Sequence, residues 1–109
     1  MEDEGESAGL GRAASSGRIY WRKHALSRCF EREISRSEVL HALAHGKIIE
    51  RYPDDHPFPS CLILLVEKLP LHVVAALDPE TGIAHIITVY RPDTSRFEPD
   101  WTTRRKPDA

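Results

Sequence analysis

Cysteine is scarce in this chain. Cys29 and Cys61 are the two, 32 positions apart and in no C-x-x-C pair, so they read as reduced thiols of a cytoplasmic protein rather than a disulfide framework. Long apolar runs are also missing. The longest, Cys61 to Val66, is far too short to span a bilayer, and no apolar segment follows Met1, so neither a membrane partner nor a signal peptide is expected. There is no glycine-rich phosphate loop, no nucleophile elbow and no internal repeat. An excess of positive charge is lacking too. The formal net charge is −2, and residues 1–18 supply all of it through Glu2, Asp3, Glu4 and Glu6 against Arg12 and Arg18. The other 91 residues balance at thirteen charges of each sign. A protein that coats nucleic acid is clearly basic, so any RNA contact here must come from arginines gathered locally.

What is present suits one soluble domain: 109 residues, 40% hydrophobic and 29% charged, enough for a single core. Residues 1–18, rich in Gly, Ser, Ala and acids, show no sustained apolar period and are expected to be a disordered acidic leader. A helix is expected from Trp21 to Glu33, with Ala25, Leu26, Cys29 and Phe30 as its apolar face. Ser35-Arg36-Ser37-Glu38 matches a capping box opening a second helix from Arg36 to His45. That helix should bury Val39, Leu40, Leu43 and Ala44 and stop at a left-handed Gly46. Lys47 to Tyr52, Cys61 to Val66, Leu69 to Leu77 and Ile83 to Tyr90 read as strands, with a proline-rich loop from Pro53 to Pro59. The expected fold is therefore α+β, two N-terminal helices packed on a four-stranded, mainly antiparallel sheet within residues 19–109.

Several polar residues stand out. His24, Arg28 and Arg32 recur at i, i+4, i+8 and form one row along the first helix. A lone arginine pair there would be an ordinary solvated face, whereas a histidine heading the row suits phosphate binding with proton transfer. His72 interrupts an apolar strand, where a histidine is more often a hydrogen-bonded core residue than a catalyst. A regular hairpin closed at Asp78–Gly82 would pair residues whose numbers sum to 160, setting His72 opposite Thr88 with Tyr90 one step along. His41 and His45 have a metal-compatible H-x-x-x-H spacing, but Ala42 replaces the glutamate of the zinc-protease motif and no third ligand is evident unless the loop supplies Asp55 or His56. They read as a solvated helix face, and no metal site is expected. His85, alternating with isoleucines, reads as structural. Arg91, Arg96, Arg104, Arg105 and Lys106, interleaved with Tyr90, Phe97 and Trp101, form a basic tail able to contact RNA with stacking aromatics.

The blocks His24-Ala25-Leu26-x-Arg28, Glu31-Arg32-x-Ile34, Cys61-Leu62-Ile63-Leu64, Pro70-Leu71-His72-Val73-Val74 and Ile87-Thr88-Val89-Tyr90-x-Pro92 resemble the bacterial domain of unknown function family numbered 4258, over residues 20–105. That resemblance implies kinship with RelE/MqsR-like toxins of the barnase–EndoU–colicin–RelE ribonuclease group. It further implies a helix-then-sheet fold, RNA cleavage without metal or cofactor, and a small antitoxin partner with an MqsA/YgiT-type zinc finger. In such chemistry the ribose 2′-hydroxyl attacks the adjacent phosphate, which needs a base, an acid and positive charge on the phosphorane. His24 and His72 are the expected proton-transfer pair and Tyr90 a further acid. Arg28, Arg32 and Arg91 would hold the phosphate, with Thr88 orienting it. The alternative is a non-catalytic protein-interaction module in which both histidines are structural.

Overall fold

The computed structural model describes residues 2–105, with side-chain surroundings from residue 5 onward. Lys106, the last cation of the basic tail, lies outside the described residues. The chain runs α1 (Glu2–Ser16), β1 (Ile19–Trp21), α2 (Lys23–Glu31), α3 (Arg36–His45), β2 (Lys47–Tyr52), β3 (Ser60–Val66), β4 (Pro70–Leu77) and β5 (Ala84–Tyr90). The five strands form one sheet in the order β1-β5-β4-β3-β2. β1 runs parallel to β5, and the remaining pairs are antiparallel. The architecture is α+β, as expected, but the sheet is five-stranded and mixed, and a third helix precedes it.

That third helix overturns the expected disorder of residues 1–18. Leu10, 1% exposed, and Ala13 sit in the same core as Val39 and Leu43 of α3. Apart from Leu10, the buried side of α1 is made of small residues, so the helix packs close. A Cβ on Gly9 would lie 2.5 Å from the Leu77 side chain. Glu6 adds an ion pair to Arg51 of β2 at 3.2 Å.

In α2, Ala25 and Cys29 are buried and Leu26 is half-buried, whereas Phe30 projects into solvent. The apolar face is thus narrower than expected, and Trp21 belongs to β1. The Ser35 hydroxyl accepts the Glu38 amide at 3.0 Å and starts α3. The Glu38 carboxylate does not close the box; it binds Arg91. α3 buries Val39, Ala42 and Leu43, leaving Ala44 exposed. Gly46 ends the helix, but with φ −74° it is not left-handed. Glycine is needed there because a Cβ would meet the Ala42 carbonyl and the Ile63 side chain, each at 2.5 Å.

Alternation along the strands creates two faces. Cys61, Ile63 and Leu65 of β3 and Leu71, Val73 and Ala75 of β4 join the helices in the main core. Leu62, Leu64, His72 and Ala76 are buried on the opposite face, which is therefore not open throughout. The segment after β5 folds back over it: Phe97, 2% exposed, pairs with Arg104, and Arg104 clamps Glu50 of β2 at 2.7 and 2.9 Å. The β4–β5 register also departs from the regular hairpin. His72 faces Tyr90 and Val74 faces Thr88, then a bulge shifts the pairing to Ala75–Ile86 and Ala76–His85. With Ile87 as the additional residue, Ala84, Ile86 and Val89 all stay in the core, and His85, Thr88 and Tyr90 share the outer face.

Candidate functional site

β1 is three residues long and reaches β5 only as far as Ile86. Beyond that point α2 runs beside β5, and a cleft of about 470 Å³ opens between them. Its α2 wall carries His24 and Arg28, continued by Arg32 at the helix C-cap. Its floor is Thr88 and Tyr90, and its far wall is Arg91, Arg96, Phe97 and Arg104. Six of the seven residues singled out from sequence therefore meet in one place. Arg96 and Arg104, read only as part of the tail strip, complete it.

Five guanidiniums line this space against one carboxylate, Asp93, which itself accepts the Ser95 amide at 2.9 Å. Their commitments differ. Arg91 is held by Glu38 at 2.9 Å and by the Pro70 carbonyl at 3.3 Å. Arg104 is held by Glu50 and lies 4.9 Å from the Phe97 ring centre. Arg28 makes a solvent-screened pair with Glu31. Arg32 and Arg96 form no side-chain hydrogen bond or ion pair with any described residue. Two guanidiniums are thus fixed as walls, and two are available to an anion.

His72 is the exception. It is 0% exposed and does not line the cleft, which corrects its expected place in contact with substrate. It stands behind Tyr90. One ring nitrogen, Nε2, lies 2.8 Å from the Trp101 carbonyl, and the other, Nδ1, lies 3.1 Å from the Tyr90 hydroxyl. Phe97 covers its edge at 4.6 Å between ring centres. A carbonyl only accepts, so Nε2 carries the proton and donates it. In the neutral ring Nδ1 then accepts from the Tyr90 hydroxyl. Burial favours that neutral state, pushing the His72 pKa below 6.5 against opposing help from the Trp101 carbonyl and Glu50. Burial likewise raises the Tyr90 phenol above its ordinary 10, and the Arg104 hydrogen bonds hold the Glu50 carboxyl low.

These shifts predict an acid-sensitive fold. Between 6.5 and the lower folded value of His72, the unfolded chain binds more protons than the folded one, so stability falls as pH drops through that window. Glu50 acts in the same direction below 4.5. Urea unfolding from about pH 8 to about pH 5 should show the midpoint decline, and His72→Gln should flatten the decline near neutrality. A slope unchanged by His72→Gln would mean that the buried ring does not titrate on unfolding.

The other polar groups are unremarkable as metal sites. His41 and His45 lie 4.5 Å apart ring to ring, with His41 3.3 Å from Glu67. Among the described residues no group of three His, Cys, Asp or Glu side chains could hold a metal. Cys29 and Cys61 are free and buried, and burial pushes the Cys61 thiol up to about 12. Among the described residues no helix is long and apolar enough to cross a membrane.

No curated protein and no solved structure matches the chain. A family model does, over residues 21–91, a span that covers α2, α3 and β2 to β5 and ends on the cleft residue Arg91. On that match the chain belongs to the domain of unknown function family DUF4258.

Proposed function

We propose that the arginine-lined cleft is the site of a metal-independent endoribonuclease of the RelE/MqsR-like toxin kind. One observation carries the reading: an accessible imidazole, a phenol and five guanidiniums converge on a single cleft of a chain with no basic excess. Such focusing suits one scissile phosphate rather than a broad nucleic-acid surface.

The geometry supports the following roles. Arg32 and Arg96 take the phosphate oxygens, and Arg28 can leave its exposed partner to join them. Tyr90 is too buried to ionise unaided at neutral pH, but its proton already points at His72 Nδ1. As the ribose O2′ attacks phosphorus, its proton passes to the Tyr90 oxygen while Tyr90 passes its own to His72. The Trp101 carbonyl accepts from Nε2 and stabilises the resulting imidazolium. The O2′–P bond forms, the P–O5′ bond breaks, and protonated His24 gives its proton to the departing O5′. The products are a 2′,3′-cyclic phosphate and a 5′-hydroxyl; His72 then returns its proton to the Tyr90 oxygen, Tyr90 releases its own to water in the cleft, and His24 takes a proton from solvent. His72 is a positioning residue in this scheme, since it touches Tyr90 and not the RNA.

The test is incubation of the purified chain with RNA in EDTA. The expected result is fragments bearing 2′,3′-cyclic phosphate and 5′-hydroxyl ends. Expression should arrest growth unless a zinc-finger antitoxin of the MqsA/YgiT kind is co-expressed. RNA left intact would overturn the nuclease reading. RNA bound but uncut would make the chain a binding module.

A further inference from the structure

Beside the cleft, on the same outer face, three rings form a row that the cleavage scheme does not use. Tyr20 of β1 lies 5.2 Å from His85 of β5, and Phe58 of the proline-rich loop lies 5.3 Å from the same His85 ring. Tyr20 and His85 are register partners across the parallel pair. Tyr20 is 57% exposed, although its neighbours Ile19 and Trp21 pack against the core. A large ring held outward by strand alternation, in contact with two more rings, is a ready-made stacking surface.

Its place gives it an occupant. His85 and Thr88 face Ala76 and Val74, two residues apart on β4, so the row of rings begins about 7 Å along the sheet from the cleft floor. The bulge at Ile87 is what turns His85 and Thr88 to the same side. Between the rings and the His24 wall stands Arg22, whose amide binds the Ile86 carbonyl and whose charge, after burial, is the main influence lowering the His85 pKa. Aromatic surface followed by a cation and then a phosphate-sized arginine cleft is the order of groups along a single nucleic-acid strand.

We propose that Tyr20, His85 and Phe58 form a stacking subsite for an unpaired nucleobase next to the phosphate held in the cleft, which makes single-stranded RNA the substrate class. This rests on reading the cleft as an RNA site. Duplex RNA would keep its bases from the rings, and a base-tolerant platform reads strandedness rather than sequence.

The probe is a short, mixed-sequence, fully 2′-O-methylated RNA, fluorescein-labelled and uncuttable because its nucleophile is capped, titrated with the full chain. Tyr20→Ala is expected to weaken binding roughly 5- to 100-fold. Tyr20→Trp should retain it, and Tyr20→Leu, apolar but without a π-face, should fall with alanine. A matching oligomer with abasic positions should bind wild type and Tyr20→Ala equally. Unchanged binding by Tyr20→Ala, alongside loss in an Arg32→Ala/Arg96→Ala double variant, would overturn the platform and leave the cleft reading standing. No binding by wild type would remove both.

Discussion

Replacing His24 with alanine is expected to lower RNA cleavage about 100- to 10,000-fold, the usual contribution of a general acid. The side chain is exposed on the first turn of α2, so the unfolding midpoint should stay within error. A proton delivered to O5′ exists only in the transition state, and the loss should therefore fall on kcat with little change in KM. Arg32→Ala should behave differently, raising KM as well, because the phosphate is bound before it reacts. Tyr90→Phe should also cut poorly. It would in addition lose about 1–3 kcal/mol of stability, since His72 Nδ1 would be buried without its donor. The double variant of His24 and Tyr90 should be little worse than the more damaging single one if the two act in one concerted transfer. Wild-type turnover by His24→Ala would remove it from the mechanism.

Leu10→Ala should destabilise the fold by about 2–5 kcal/mol, a large share of what a domain of this size possesses. Leu10 is the one large apolar side chain that α1 buries, and it shares its core with Val39, Leu43 and Leu71. The surrounding groups come from two helices and the sheet, so the vacated space cannot collapse easily. Urea denaturation of the full chain measures this directly. An unchanged midpoint would mean that α1 contributes nothing in solution. Ser15→Ala, on the exposed side of the same helix, should stay within about 0.5 kcal/mol and serves as the control.

The reason α1 escaped notice in the sequence is physical. Its core side consists of Gly9, Leu10 and Ala13, and close packing by small residues leaves almost no hydrophobic period to detect. Of the acidic residues that made the segment resemble a solvated tail, Glu6 pairs with Arg51 of β2. β1 escaped for another reason: three residues are too few to show alternation, and its parallel pairing to β5 is non-local. By contrast, β3 and β4 are continuous apolar runs, and the Ser35 cap is a local chemical pattern, so both were legible. The row of His24, Arg28 and Arg32 was legible because helical spacing survives errors in where a helix begins. The position of His72 was not. What covers it, Phe97 and the Trp101 carbonyl, comes from an irregular segment whose path depends on side-chain clamps such as Arg104–Glu50. A bulge without Gly or Pro to announce it moved Thr88 away from His72.

The family match stops at Arg91, while one wall of the cleft is built afterwards by Arg96, Phe97 and Arg104. The matched span and the set of residues that build the cleft therefore differ in extent. A fragment trimmed to the matched span would lose α1 and most of β1 and would uncover Leu62, Leu64 and His72 together, leaving a sticky face. On the proposed scheme, a change that moves the Trp101 carbonyl acts on the proton path of Tyr90 through His72, which lies 29 positions from Trp101 in sequence. On the proposed scheme, variation around Trp101 that leaves Arg96, Phe97 and Arg104 in place would be a means of tuning turnover without altering a cleft-lining residue.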